Sequence, residues 1–311
     1  MPSDWVFPHT PVLAQEVLES LAPESGHRYI DATVGAAGHA QAILEASHPD
    51  GVLIGLDVDE NALAIARERL TPFSKRAYLF HLSYTEIAQA LQNTGWDGMD
   101  GILFDLGVSS MQVDTPQRGF SFIKDGPLDM RFNESDLRSA ADIINHWSED
   151  DLADIIWEYG EEPRSRSIAH AISQSRPLET TKQLADLVLD VYHGQRGKTH
   201  PATRTFQAVR IAVNDEMNAI QKGLEEALRF LRPGGKITVI SFHSLEDRIV
   251  KNYFRRESKD CICPPEQPVC VCGHKASLTI LTKKPITAKD DEIKNNPRSR
   301  SAKLRVAQKI G

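Results

Sequence analysis

Apolar positions in the first hundred residues follow two alternating rhythms. Near-continuous apolar runs lead up to Asp31 and fill 52–56, 77–81 and 99–106. Between them, 12–21, a segment from His39, 60–70 and 85–92 repeat apolar residues at the spacing of a helix face. Runs that are apolar on both faces suit strands buried in a parallel sheet, so this region predicts β-α-β-α-β-α-β after a leading helix, with Asp59 as the N-cap of the helix at 60–70. The strand rhythm then stops. From 113 to 199 only helical patterns recur, at 140–145, 149–159, 165–174 and 181–192. A longer helical pattern at 204–231 ends in Arg232-Pro233-Gly234-Gly235, a helix stop joined to a turn. Residues 236–241 read as a fifth strand, and 278–281 and 304–307 as final ones. The expected fold is α/β: a doubly wound, Rossmann-like sheet built from 1–112 and 200–311, with an all-helical domain at 113–199 inserted after the fourth strand.

Charge adds one feature to that outline. The chain has 311 residues, 41% hydrophobic and 25% charged, with a net charge of −7; this suits a water-soluble globular chain and argues against one that is basic all over. From Arg248 to the end, however, 15 Lys and Arg face 6 Asp and Glu, a balance of +9 that leaves −16 on the remainder. Such asymmetry predicts a basic face or tail on an acidic body, either solvated or used to bind RNA. No apolar run approaches the roughly 20 residues needed to cross a bilayer. The opening MPSDWVFPHTPV lacks a basic n-region and an apolar h-region. The expected compartment is the cytoplasm.

The stretch 28–59 concentrates the chemistry. A strand, a glycine turn through Gly35 and Gly38, a helix, and a second strand tipped by Asp57 form the βαβ half of a nucleotide-binding fold. Glycines let backbone approach a ligand, and a helix start offers free N–H groups. A strand-tip carboxylate can accept both ribose hydroxyls. The dinucleotide pattern G-x-G-x-x-G is missing, since Ala37 and Ala40 stand where a glycine is required. Instead, Asp31-Ala32-Thr33-Val34-Gly35-Ala36-Ala37-Gly38-His39 resembles the loop of S-adenosylmethionine-dependent methyltransferases. Asp105, in Phe104-Asp105-Leu106-Gly107-Val108-Ser109-Ser110, tips the fourth strand and should face the same crevice, because ligands bind beyond the strand ends near the topological switch. Burying a carboxyl without a partner or a role is costly.

Other blocks admit two readings. Arg118-Gly119-Phe120-Ser121-Phe122 suits either stacking on a planar base or a compact loop packed on the insertion. Ser241-Phe242-His243-Ser244-Leu245-Glu246-Asp247-Arg248 lacks the G-x-S-x-G of a hydrolase; it reads as a substrate-facing loop, with Ser244 capping the next helix. Cys261, Cys263, Cys270 and Cys272 form two C-x-C pairs. Bracketing a proline loop, they could bind zinc with four thiolates, but the spacing differs from the usual C-x₂₋₄-C of zinc sites, and free thiols in a surface loop, with no metal, are the expectation over zinc.

The blocks HTPVL (9–13), DLGVSS (105–110), RGFSF (118–122), GPLDMR (126–131), HPATRTFQAVRI (200–211) and SFHSLEDRIVK (241–251) together resemble the bacterial small-subunit ribosomal RNA methyltransferase H family over nearly the whole chain. The resemblance implies a class I methyltransferase sheet with a helical insertion after strand four. Its activity would be methylation of the N4 amino group of a cytidine in the decoding region of 16S rRNA. It also implies S-adenosyl-L-methionine as cofactor, with contacts falling on Gly35, Ala37, Gly38, His39, Asp57, Tyr84, Asp105 and Gln112. The implied partner is small-subunit rRNA within the assembled 30S subunit, with no membrane; homodimer formation is left open. Many members read Gly-Arg-Gly-Gly-His where this chain has Gly35-Ala36-Ala37-Gly38-His39, so the resemblance carries no basic side chain into that turn. Cytosine N4 is a poor nucleophile because its lone pair is delocalised, so its proton needs an acceptor; Asp105 is the candidate. Two rivals are a non-catalytic RNA-binding or assembly factor and a nicotinamide dehydrogenase. Gly38, Asp57 and Asp105 argue against the first, and the missing fingerprint against the second.

Overall fold

The four apolar runs pair as neighbouring strands in the computed structural model, which describes residues 11–197, 199–267 and 269–311; the block at 9–13 begins outside them. The chain divides into two units, the first made of residues up to Gly107 and Met217–Gly311, the second of Val108–Glu216. In chain order the first unit opens with α1 (Ala14–Leu21), β1 (Arg28–Asp31), α2 (Gly38–Ala46), β2 (Val52–Asp57), α3 (Glu60–Arg69), β3 (Ala77–His81), α4 (Ile87–Thr94) and β4 (Met99–Asp105). The Asp59 side chain accepts the Asn61 N–H and caps α3, as expected.

The second unit contains α5 (Ser110–Asp114), α6 (Ala140–His146), α7 (Glu149–Glu158), α8 (Ser165–Gln174), α9 (Thr181–Val191) and α10 (Ala202–Asn214). Its described residues hold no strand beyond an isolated bridge between Pro127 and Thr180. Polar side chains start these short helices: Ser139 caps α6, Ser148 α7 and Thr180 α9, each accepting an otherwise unpaired N–H of the first turn. Ile143, Ile156, Ile168, Leu184 and Val209 meet in its core. Phe122 lies 4.8 Å from Phe206 and Phe120 stacks on Phe132, so the RGFSF block is packed within this unit.

The unit runs from 108 to 216, wider than the 113–199 expected, because α10 gives Phe206, Ala208 and Val209 to its core. The single helix expected over 204–231 is two. Asp215 adopts a left-handed conformation (φ 48°, ψ 39°) and ends α10 before α11 (Glu216–Phe230) begins. Asp tolerates that conformation better than most residues, and the break leaves the apolar rhythm intact on both sides.

The first unit resumes with α11, β5 (Leu231–Ser241), α12 (Ser244–Glu257), β6 (Leu278–Ile280), α13 (Asp290–Asn295) and β7 (Lys303–Lys309). β5 starts earlier than the expected 236. Leu231 already pairs with Met99, and the pairing then jumps to Gly101 with Lys236, so the Pro-Gly-Gly turn bulges out of a continuous strand. Pro233 has no N–H to give, and Gly234 sits at φ +80°. The sheet order is β3-β2-β1-β4-β5-β7-β6, with β7 antiparallel to β5 and β6 antiparallel to β7. Alternate residues face opposite layers: Ile30, Ile54, Ile102 and Phe104 pack under α4, α11 and α12, while Leu53 and Leu103 pack under α1, α2 and α3. Strand order reverses between β1 and β4, which places a crevice at their C-terminal ends. No helix among the described residues is long and apolar enough to cross a membrane.

Candidate functional site

β1 is the shortest of the three central strands, and its end determines what the crevice contains. Asp31 pairs with Gly55 and Leu103, two residues short of Asp57 on β2 and Asp105 on β4. Beyond Asp31 the chain crosses between those longer neighbours and is stitched to both. Ala32 N–H donates to Leu103 O (2.8 Å), and Val34 N–H to Leu56 O (2.8 Å). The Asp105 N–H donates to Thr33 Oγ1 at 2.7 Å, and the Gly35 N–H to Asp57 Oδ2 at 2.8 Å. Asp59 N–H holds the other Asp57 oxygen at 2.8 Å. Ala37 then takes a left-handed conformation (φ 61°) and α2 starts at Gly38. A Cβ on Gly38 would lie 2.6 Å from Pro11 Cγ, so the close approach there requires glycine.

His39, in the first turn of α2, is buried, and its Nε2 lies 3.7 Å from Asp105 Oδ2. Neither His39 Nε2 nor Asp105 Oδ1 has a hydrogen-bond partner, although both atoms are shielded from solvent. Burial raises the Asp105 pKa to about 8, helped by the charges of Asp31 and Glu246. It likewise raises Asp31 to about 7, with Asp57 adding to the shift, and Asp57 to about 6 against the pull of its N–H donors. His39 moves the other way, to about 4, because burial and then the Arg69 charge disfavour imidazolium. Among the described residues no Lys or Arg forms an ion pair with Asp31, Asp57 or Asp105. The crevice therefore holds three clustered carboxyls, none of them ion-paired to a Lys or Arg among the described residues. It is built to favour a ligand carrying positive charge and hydroxyl or amino donors.

The remaining residues singled out in the sequence divide between the units. Tyr84 opens a short 3-10 turn after β3 and packs edge-on against Phe104, 5.7 Å between centroids, beside the Asp105 tip. Gln112 belongs to the second unit, where its side chain and that of Ser109 cap α5 reciprocally. Arg69 of α3 reaches the Ala36 carbonyl (3.3 Å) and Gln41 Oε1 (2.7 Å), so a basic side chain does touch the turn, from 33 residues downstream.

Ser244 is not the cap of α12 but its first helical residue. Phe242 and His243 N–H groups donate to the buried Glu246 carboxylate at 2.7 and 3.2 Å, and His243 Nε2 lies 3.1 Å from its other oxygen. Glu246, which reaches back across this turn, and Asp31 are the two acids that the sequence reading left out of the site. Asp31 had a visible signal as the acid ending the first apolar run. Part of the basic C-terminal excess is used internally: Arg305 grips Asp247 through two bonds (2.6 and 3.2 Å), and Lys309 Nζ donates to the Leu228 and Leu231 carbonyls.

With this geometry in place, comparison with known proteins is direct. The model of the MraW methylase family matches residues 6–310. A protein of Geobacter sulfurreducens named "Ribosomal RNA small subunit methyltransferase H" is 53% identical over 311 residues, covering 98% of this chain and 99% of the relative. Relatives of the same name from Thermomicrobium roseum (51% identical, 97% and 94% covered) and Dehalococcoides mccartyi (49%, 98% and 87%) are similar over the same span.

Proposed function

The chain belongs to the MraW methylase family, and from that premise we propose that it transfers a methyl group from S-adenosyl-L-methionine to the N4 amino group of a cytidine in the decoding region of small-subunit rRNA. The assembled 30S particle is the proposed substrate form. The observation that carries this reading is Asp105 at the strand-order reversal, its Oδ1 shielded and unsatisfied and its Oδ2 3.7 Å from the buried His39.

The residues present fit the cofactor. A sulfonium and an ammonium supply the positive charge that Asp31, Asp57 and Asp105 lack, and ribose hydroxyls are donors for the free lone pairs of Asp57. Gly35, Ala37, Gly38, His39 and Tyr84 would hold it, through the turn and the side chains beside it. When bound, the cofactor supplies an electrophilic methyl on sulfur.

The chain's own residues do the rest. Asp105, whose pKa of about 8 lies close to neutrality, has the basicity suited to a proton acceptor at working pH. A nearby cation favours its carboxylate form, which can accept the cytosine amino N–H, as carboxylates do in base recognition. On methylation the cytidine amino group would give up one proton, which Asp105 would accept and pass to water. The base must be unstacked or flipped to reach the strand end.

Nucleoside mass spectrometry of RNA treated with enzyme and labelled cofactor tests the proposal, with 30S particles, free 16S rRNA, tRNA and DNA in parallel. Labelled N4-methylcytidine from the small subunit is expected. Label on carbon 5 or on ribose, or in tRNA alone, would overturn it.

A further inference from the structure

The segment 258–277, which joins α12 to β6, contains all four cysteines, and nothing ordinary explains its order. Its described residues form no helix or strand, and its apolar side chains Ile262, Val269 and Val271 are 44%, 68% and 72% exposed. A connection of this length without a core of its own needs a staple. Its base is closed by Ser277 N–H donating to Glu257 O (2.8 Å) and Ala276 N–H to Asp260 Oδ1 (3.2 Å). Toward its tip, besides a hydrogen bond from Gln267 N–H to Pro264 O (3.0 Å), the described residues bring the four sulfurs together. The Sγ atoms of Cys261, Cys263, Cys270 and Cys272 all lie within 4.8 Å of one another. Cys272 is 3.6 Å from Cys270 and 3.9 Å from Cys261.

Those separations discriminate between chemistries. A disulfide needs sulfurs at about 2.05 Å, and all four thiols are free. Four thiolates at about 2.3 Å around a tetrahedral ion stand roughly 3.8 Å apart, which the observed pairs already match.

We propose that Cys261, Cys263, Cys270 and Cys272 bind one Zn²⁺ as four thiolates, a structural site that ties 258–277 into a fixed loop. This departs from the free thiols expected from sequence, because the C-x-C spacing brings the two pairs face to face across the proline loop rather than along a ribbon. Zinc is the ion that takes four thiolates in closed, tetrahedral structural sites, and iron is the competing occupant of such a donor set.

The test is metal analysis by mass spectrometry of the full chain, purified with reductant and without chelator. The expected result is about one zinc per chain, released by a thiol-modifying mercurial as four thiols react. Cobalt exchange should give the intense visible bands of tetrahedral thiolate coordination. Cys261→Ser with Cys272→Ser should remove the zinc and speed proteolysis within 258–277, while S-adenosylmethionine affinity at the crevice stays unchanged. Metal-free protein without cobalt bands, stoichiometric iron instead of zinc, or two disulfides after alkylation without reduction would each overturn the proposal.

Discussion

Two groups of acids in the first unit, both at the C-terminal side of the sheet, are treated in opposite ways. Asp247 on α12 is gripped by Arg305 through two hydrogen bonds and approached by Lys303 at 3.6 Å. Although burial opposes it, the paired arginine and lysine hold its pKa below the ordinary carboxylate value. Asp31, Asp57 and Asp105 receive N–H donors at most, and their pKa values rise to between about 6 and 8. The contrast separates an acid that stabilises the fold from acids that the fold carries at a cost. A carboxyl cluster kept without ion-pair partners in a crevice marks a place where a ligand completes the structure.

Breaking the satisfied side should have the largest effect. Asp247→Ala leaves Arg305, 7% exposed, as a buried charge without its partner and should destabilise the protein by about 3–5 kcal/mol. Denaturant unfolding measures this, and a loss below 1 kcal/mol would show that the pair contributes little. Asp105→Asn is the mirror experiment. It should slow methyl transfer about 10²-fold at saturating cofactor, while stability holds or rises, since a poorly solvated acid has been removed. Single-turnover rates and melting temperature together read it. A normal rate with collapsed cofactor binding would make Asp105 a cofactor ligand only.

Asp57→Ala should weaken cofactor binding about tenfold or more, the worth of a charge-assisted contact at roughly 1.5–3 kcal/mol. Because Asp57 also accepts the Gly35 and Asp59 N–H groups, the melting temperature should fall as well. The strand tip is thus structural in addition to any ligand role, a coupling hidden in the sequence. Unchanged affinity in calorimetric titration would remove Asp57 from the site.

The same contrast sets the pH dependence. The strand-tip acids ionise near pH 4 in the unfolded chain but stay protonated to about pH 6–8 in the fold. Between those limits the unfolded chain binds fewer protons, so this cluster's contribution to stability declines as pH rises from about 4 to 8. Asp247 does the reverse: its contribution is present above the ordinary carboxylate pKa and is lost as pH falls below it. A cationic ligand should therefore release protons on binding between pH 6 and 8, and bind more tightly as pH rises. Calorimetry in buffers of different ionisation enthalpy would reveal that release, and its absence would mean that the cluster is already ionised.

Much of this was legible in the chain because the signals were local. The strand at 77–81, the helix at 165–174, the Asp59 cap and the Gly35–Gly38 turn each depend on neighbours in sequence, and the structure reproduces them. What was hidden depends on pairing at a distance. Asp31 joins the acid cluster only because β1 lies between β2 and β4. The division between α10 and α11 at Asp215 carries no glycine or proline, and α10's apolar face belongs to a different core from that of α11. α13 is a six-residue helix within a polar stretch, too short for periodicity to show.

The smallest effect concerns the turn that holds the crevice together. Ala37 occupies a left-handed conformation at the start of α2, a position where the family resemblance puts glycine. For an L-residue that conformation costs about 1–2 kcal/mol. Ala37→Gly removes the strain but gives the unfolded chain more freedom, worth roughly 0.4–1 kcal/mol. It also deletes a methyl group that is fully buried among Leu13, Ala40 and Ile43, worth about 0.8 kcal/mol. The three effects nearly cancel, so Ala37→Gly should change stability by less than about 1 kcal/mol and leave cofactor affinity intact, in contrast to every substitution of an acid above. A gain well beyond 1 kcal/mol would mean that the methyl contributes nothing to packing. A comparable loss would mean that the turn is held by its contacts with the α1 and α2 core rather than by backbone preference.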